Sequence, residues 1–236
     1  VPVLRQIARF YIWVIRGTPL LVQLFISGMN SALTPWMYSK IKKGDIRSMR
    51  KVLQLLSVVV VGIAVALMLI SPELVLIFGS PKYREAVYVI PPVAASVFFI
   101  FIYNILSMPQ FYYEKTQFLM AASMAAAGAN VVLNFIFIRL FGYIAAGYTT
   151  LACYMLYSVG HYIVSKRILV NEGIRENLMS PGFLVACSVF LIGASIICNL
   201  IFPYRILRYA ILLASAGLVF WKKELLLKTM ADIRKK

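Results

Sequence analysis

Long apolar segments recur along the chain, and short stretches between them carry the charged and turn-forming residues. A helix that crosses a bilayer needs roughly 20 mainly apolar residues, and the first five segments reach about that length. The last is uncharged only from residue 209 to residue 221, but basic side chains at its ends can reach the headgroups and lengthen the span. The pattern predicts an all-α integral membrane protein with about six to seven transmembrane helices. The six segments lie at residues 52–70, 86–108, 117–138, 143–164, 183–202 and 205–223.

The composition favours the lipid bilayer over nucleic acid as a partner of the chain. Hydrophobic residues make up 62% of the chain and charged residues 14%, which would leave large apolar patches exposed on a soluble protein of this size. The formal net charge of +16 comes from Lys and Arg that lie mainly between apolar segments, not on a basic face interleaved with aromatic residues. We therefore expect the bilayer as a partner and no nucleic acid.

The basic residues also predict an orientation. If the six segments alternate in direction, one side of the membrane takes residues 40–51, Lys115, residues 166–175 and the tail after residue 221. Positively charged loops stay on the cytoplasmic side, so loop 40–51 and the C-terminus are predicted to be cytoplasmic. The opposite side has only Lys82, Arg84, Arg139, Arg205 and Arg208.

Small residues and prolines predict how the helices pack and bend. The run AASMAAAGA at residues 121–129 predicts close helix contact, because small side chains let backbones approach in lipid. A tight turn ending at Gly142 makes segments 117–138 and 143–164 an antiparallel hairpin. Pro91 and Pro92 remove backbone donors and should bend their helix, either as a structural kink or as a hinge for alternating access.

Motifs for catalysis and nucleotide binding are absent from the sequence. There is no phosphate-binding glycine loop, dinucleotide fingerprint, zinc-protease motif or nucleophile elbow, and the eight acidic residues are scattered. Cys153, Cys187 and Cys198 lie in apolar segments without metal-binding spacing and are interpreted as small hydrophobic residues. We predict that the chain is not an enzyme and has no catalytic residues, cofactor or metal.

Polar residues inside the predicted spans are the candidate site, because each costs free energy in lipid unless it faces protein, water or substrate. Asn130 and Asn134 lie one helical turn apart, followed by Arg139, while Tyr103 and Asn104 lie in another span. They either form hydrogen bonds between helices, with Arg139 as a headgroup anchor, or line a cavity for a polar substrate. His161 is interpreted as a packed residue.

From residue 30 the chain resembles a known family over most of its length. The strings NSALTPWMYSKIKKGD, IAVALMLISPELVLIFGSPKYREAVYVIPPVAASVFFIFIY, FYYEKT and FGYIAAGYTTLACYMLY occur in order. They resemble polysaccharide flippases of the MATE-like exporter superfamily, of the O-antigen type. The resemblance covers residues 28–236 and contains no catalytic motif.

The resemblance implies a fold of about fourteen helices in two six-helix lobes plus an extra pair, of which this chain would supply the last six, the second lobe. It implies transport of undecaprenyl-diphosphate-linked oligosaccharides from the cytoplasmic to the outer leaflet of the bacterial inner membrane, without ATP. A glycan polymerase is a further expected partner. Without the first lobe, we expect the lone chain to be an incomplete transporter.

Residues 1–27 have a different resemblance. The string LRQIARFYIWVIRGTPLLVQLF at residues 4–25 resembles permeases of polar amino-acid ABC transporters. A permease helix beginning near Pro19 should run outward, whereas the basic loop at Lys40 requires the preceding span to arrive at the cytoplasm. We interpret residues 1–27 as a segment foreign to residues 28–236. The alternative functions are an amino-acid ABC permease subunit and a nonfunctional membrane fragment.

Overall fold

A computed structural model describes residues 27–28, 30–78 and 81–221, and this part of the chain is entirely helical apart from its turns. The permease-like segment at residues 1–27 lies outside it except for residue 27, and so does the tail after residue 221. The elements are α1 (residues 30–42), α2 (Ile46–Leu69), α3 (Ser71–Phe78), a 3-10 helix (Pro81–Tyr88), α4 (Ile90–Tyr112), α5 (Gln117–Phe141), α6 (Ala145–Asn171), α7 (Pro181–Ile201) and α8 (Arg205–Trp221).

Four helical stretches in the described residues are long and apolar enough to cross a membrane: Ile46–Leu69, Glu85–Tyr112, Gln117–Phe141 and Pro181–Ile201. Helix α6 is long enough, but its hydroxyl and aromatic polar side chains make it less apolar than these four. Helix α8 has 17 residues and is the shortest of the predicted spans. An all-helical architecture suited to a membrane is therefore confirmed, and the count of six to seven crossings stays a prediction.

Local sequence signals explain where several helices begin and end. Asp45 caps α2, because its carboxylate accepts a hydrogen bond from the backbone N–H of Ser48. Lys40 holds the other carboxylate oxygen of Asp45 at 2.5 Å. Gly142 ends α5 with a positive φ of 76°, which favours glycine and makes the tight turn expected before α6.

Pro91 and Pro92 lie in the first turn of α4, immediately after the 3-10 helix. The first backbone N–H groups of a helix have no partner within it, so proline is tolerated there. At these positions they remove no hydrogen bond within α4. The bend expected from them, as a kink or as a hinge, stays a prediction.

Helix α4 forms the centre of the bundle and packs against α2, α6 and α7. Its large apolar side chains, including Phe98, Phe101 and Ile102, are at most 2% exposed. Close approach to α6 depends on Gly147, where an added Cβ would lie 2.8 Å from Pro92 Cγ and 3.0 Å from the carbonyl oxygen of Val89. Close packing of α4 against α6 at this point therefore requires the absence of a side chain at position 147. Such van der Waals packing is a main source of helix association in lipid.

Polar contacts between loops define one end of the bundle, which we call the basic end. At the start of α2, Arg47 Nε lies 2.9 Å from Glu176 Oε1, and Arg50 Nε donates to the carbonyl oxygen of Asn177 at 2.7 Å. After α4, Lys115 Nζ lies 3.4 Å from Glu172. The segments before α2, between α4 and α5 and between α6 and α7 therefore meet at this end.

The remaining loops meet at the opposite end. Arg208, at the start of α8, binds Glu73 of α3 through two hydrogen bonds. Tyr143, in the turn between α5 and α6, donates to Glu85 of the 3-10 helix at 3.0 Å. Consecutive helices from α4 to α7 consequently run in alternating directions, and α8 begins at the end where α2 finishes.

The small-residue run 121–129, predicted to allow close helix contact, meets α6 at Ser123, whose Oγ lies 2.7 Å from the hydroxyl of Tyr157. Other side chains of the run are accessible, and Met124 is 77% exposed. One expectation about packing is wrong. Arg208 was expected to reach toward the headgroups, but it is 1% exposed because Glu73 and the carbonyl of Leu69 bind its guanidinium. The sequence alone does not show that Arg208 meets Glu73, because the two residues are 135 positions apart in the chain.

Candidate functional site

The middle of the central helix α4 is buried except at a short polar window. Tyr103 and Asn104 are its only residues more than two turns from either helix end that are not buried. Asn104 Nδ2 donates to the carbonyl oxygen of Ile100 at 2.7 Å, which leaves its side-chain oxygen available for another partner. The accessible surface in the interior of α4 is therefore polar.

Three aromatic side chains of α6 surround Tyr103. The rings of Tyr103 and Tyr154 are nearly parallel, with centroids 6.2 Å apart. The ring centroids of Tyr157 and Tyr103 are 4.7 Å apart, and the hydroxyl of Tyr157 lies 2.7 Å from Ser123 Oγ of α5. Contacts around Tyr103 therefore connect α4, α6 and α5. The ring of His161 lies 5.9 Å from Tyr103 on the side toward the basic end.

A buried polar pair lies next to these tyrosines. Gln110 of α4 and His161 of α6 are both fully buried, and Gln110 Nε2 lies 2.8 Å from His161 Nδ1. Gln110 Nε2 also donates to the carbonyl oxygen of Leu106 at 3.3 Å, so its second N–H is directed to the imidazole. Nδ1 is then the acceptor, and the proton of the neutral ring is carried by Nε2. The interpretation of His161 as a packed residue is confirmed.

Neither member of this pair is fully satisfied. Within the described residues, Gln110 Oε1 and His161 Nε2 are buried without a hydrogen-bond partner. An unpaired polar atom is costly in a low-dielectric interior, so such atoms in native proteins are commonly satisfied by water or a ligand. Gln110 and His161 therefore form a buried polar pair next to Tyr103. The acceptor Gln110 Oε1 and the donor His161 Nε2 remain without a hydrogen-bond partner within the described residues.

The asparagines predicted on α5 form a second polar group at the α5–α6 contact. Asn134 Nδ2 donates to Asn130 Oδ1 at 2.8 Å, which confirms that the two side chains share a face. Thr149 of α6 donates its hydroxyl proton toward Asn134 Oδ1 at 2.5 Å. These contacts match the alternative in which the asparagines join two helices.

Arg139 is not part of this group. It lies five residues after Asn134 and nine after Asn130, which places it on a different side of α5 at 100° per residue. Its guanidinium carbon lies 4.0 Å above the ring of Phe135, and the residue is exposed near the end of the helix. The structure therefore brings Asn130 and Asn134 together, brings Tyr103 and Asn104 together, and leaves Arg139 separate from both groups.

An apolar groove runs along the α5–α6 hairpin, with a volume of about 430 Å³. Its lining residues include Thr149 and Tyr148, and Asn199 of α7 donates to the hydroxyl of Tyr148 at 3.0 Å. Its lining suits hydrocarbon and offers nothing for a metal or a charged cofactor. No group of three or more metal-ligating His, Cys, Asp or Glu side chains occurs in the described part of the chain.

The sequence pattern indicates Tyr103 and Asn104 as candidate residues but does not connect them with Gln110 or Tyr157. A signal was present on α6, where Tyr154, Tyr157 and His161 recur at intervals of three and four residues and so share a helix face. On α4, Tyr103 and Gln110 are seven residues apart, so they also lie on the same face of their helix. Which α6 residue meets which α4 residue depends on the tertiary register of the two helices.

Comparison with protein-family models, with curated proteins and with solved structures finds no match to this chain. The fold and the site define a class: a helical protein whose described residues include four helices suited to spanning a bilayer. A polar, tyrosine-rich window interrupts the burial of its central helix.

Proposed function

We propose that this chain is the second lobe of a flippase that exports undecaprenyl-diphosphate-linked oligosaccharide units for surface polysaccharide or O-antigen biosynthesis. The proposal starts from the resemblance of residues 28–236 to polysaccharide flippases. The observation that carries it is the polar window at Tyr103 and Asn104 of α4.

The window supports transport of a polar group because of its position. A residue that faces lipid in the middle of a span is normally apolar, as Val131 on α5 and Val189 on α7 are, with 69% and 66% of their surfaces exposed. Tyr103 and Asn104 are accessible, yet both carry hydrogen-bonding groups. In a membrane-spanning bundle, such positions border water or a polar substrate, and a glycan supplies many hydroxyl groups for these side chains.

The contacts at the two bundle ends support a six-crossing topology for residues 46–221. If α2, α4, α5, α6, α7 and α8 all cross, the basic end holds loop 40–51 and residues 166–175 together, as the charge distribution requires. The basic end is then cytoplasmic in the bacterial inner membrane, and the C-terminus lies on the same side. Both Lys115 and the tail agree with this orientation.

In this account the chain supplies half of a transport cavity. The window would face the first lobe of a complete flippase, with the buried Gln110–His161 pair beside it, and the lipid-linked oligosaccharide would pass between the two lobes. Alternating access would expose the window to each leaflet in turn. A glycan polymerase would use the exported units.

Complementation of a flippase-deficient bacterial strain tests this function. We expect surface glycan to return when the chain is joined to the first lobe of a related flippase, and not when the chain is expressed alone. Asn104→Leu and Tyr103→Leu should abolish the restored glycan, whereas Val189→Leu, on a lipid-facing position of α7, should not. Failure of the joined protein to restore any glycan, at normal membrane levels, would contradict the proposal.

A further inference from the structure

The basic end has a surplus of positive charge that its own acidic residues do not neutralise. The segments that meet there carry ten Lys and Arg against four Asp and Glu. Three of those acids are already held in ion pairs, Asp45 by Lys40, Glu172 by Lys115 and Glu176 by Arg47. Six exposed cations at this end form no ion pair within the described residues: Lys42, Lys43, Lys51, Lys166, Arg167 and Arg175.

These cations belong to one surface because the segments that carry them are joined. Arg47 and Arg50, at the start of α2, contact Glu176 and Asn177, which follow α6. The exposed Lys51 is the next residue of α2, and Arg175 precedes Glu176. These contacts bring cations of the α1–α2 turn and of the α6–α7 loop to the same end of the bundle.

The depth of these cations identifies the kind of partner they fit. Lys51 is the last charged residue before the run 52–69 of α2, which contains no Lys, Arg, Asp or Glu. Lys166 is the first charged residue after the equally uncharged run 145–165 of α6. If these runs occupy the hydrocarbon core, Lys51, Lys166 and Arg167 lie at the level of the lipid headgroups. Soluble anions and nucleic acids would need a surface further from the bilayer.

We propose that the basic end binds the phosphate groups of anionic phospholipids in the adjacent leaflet. Lys51, Lys166 and Arg167 are the principal contacts, and Lys42, Lys43 and Arg175 add attraction from the flanking turns. Clusters of four to eight Lys and Arg next to membrane helices recognise anionic lipids through this electrostatic attraction, which falls off within a Debye length. The inference does not depend on the transported substrate, so it stands or falls separately from the flippase proposal.

Lipid retention by the purified full chain tests the inference. The protein is equilibrated in mixed micelles containing equal amounts of palmitoyl-oleoyl phosphatidylglycerol and phosphatidylcholine, and bound lipids are counted by native mass spectrometry. We expect phosphatidylglycerol to be preferred, and the preference to fall several-fold in the Lys166→Gln/Arg167→Gln variant. The matched control is Arg139→Gln/Arg205→Gln, which removes the same charge from exposed positions at the opposite end and should change the preference little.

Salt and a competing anion make the test specific. Raising sodium chloride from 0.05 to 0.5 M should remove most of the preference for phosphatidylglycerol, because exposed charges are screened. Inorganic diphosphate at the lipid concentration should not displace the lipid. The inference is overturned if the wild-type chain shows no preference, if both double variants lose it equally, or if diphosphate displaces phosphatidylglycerol. Gel filtration of each variant checks that the protein remains folded.

Discussion

The guanidinium of Arg208 binds both carboxylate oxygens of Glu73, with N–O distances of 2.8 and 2.9 Å. The same guanidinium donates to the carbonyl oxygen of Leu69 at 2.8 Å, and Tyr209 donates its hydroxyl to Glu73 at 2.8 Å. A cation at the end of α2 also interacts favourably with the helix dipole. These contacts attach the start of α8 to the end of α2 and to α3.

Arg208→Gln should therefore destabilise the protein strongly. Breaking a two-point ion pair that includes a buried guanidinium costs about 2–3 kcal/mol, and Glu73 would lose most of its partners. Because Cys153 and Cys198 are buried and free, a thiol-reactive fluorescent dye reports unfolding in detergent through their exposure. Arg205→Gln, at an exposed position one turn earlier, is the control. Equal melting temperatures for both variants would contradict the assigned role of Arg208.

The same pair predicts a pH dependence. Partial burial raises the pKa of Glu73, but hydrogen bonds from Arg208 and Tyr209 outweigh it, and the net pKa lies below the usual value of 4.5. A carboxylate with a lowered folded-state pKa stabilises the protein at neutral pH, and this contribution is lost as the pH falls below the unfolded value toward the folded one. The wild-type melting temperature should fall over that acidic range, and Glu73→Gln should flatten part of the decrease. An identical pH profile in the two proteins would contradict the prediction.

Gly147 and Gly128 offer a matched test of helix packing. Ala at position 147 would place its Cβ 2.8 Å from Pro92 Cγ, whereas a Cβ at position 128 meets nothing within 4 Å. Gly147→Ala should lower the stability by about 1–3 kcal/mol through overpacking. Gly128→Ala should be neutral or stabilising, because Ala is the better helix former. Stabilisation by both substitutions would show that α4 and α6 are not in close contact at Pro92.

The Gln110–His161 pair predicts coupled effects of mutation. His161→Leu leaves the side chain of Gln110 buried without its partner and should cost about 1–3 kcal/mol. Adding Gln110→Leu removes the unpaired group, so the double variant should be more stable than the sum of the two single losses predicts. The dye assay described above measures all four proteins of this double-mutant cycle. Strict additivity would mean that the two side chains do not interact.

The helices themselves were largely predictable from the sequence. Segment 183–202 corresponds to Pro181–Ile201, and segment 117–138 corresponds to Gln117–Phe141, because long uncharged runs bounded by turn residues have one simple interpretation. The turn at Gly142 followed from the same reasoning. Helix ends differ by a few residues because polar end residues continue a helix beyond its apolar part, as in the α6 extension to Asn171.

The contacts between helices were less predictable. A helix in lipid can be apolar over most of its surface, so the sequence does not show which residues of α6 meet the polar residues Asn130 and Asn134 of α5. The pairing of Asn130 with Asn134 followed from helical spacing, whereas the pairing of Gln110 with His161 required the register of two helices. The burial of Arg208 depended on Glu73, 135 residues away in sequence.

The accessibility of Asn104 to water is the most direct test of the central claim, that the window of α4 borders a polar transport path. In a background with Cys153, Cys187 and Cys198 replaced by Ala, Asn104→Cys and Val189→Cys are treated in native membranes with a membrane-impermeant, positively charged thiosulfonate reagent. Both positions lie within predicted spans, and Val189 is exposed on α7. We predict that the cysteine at position 104 is modified and that the one at position 189 is protected by lipid. Protection at position 104, or equal modification at both positions, would contradict it.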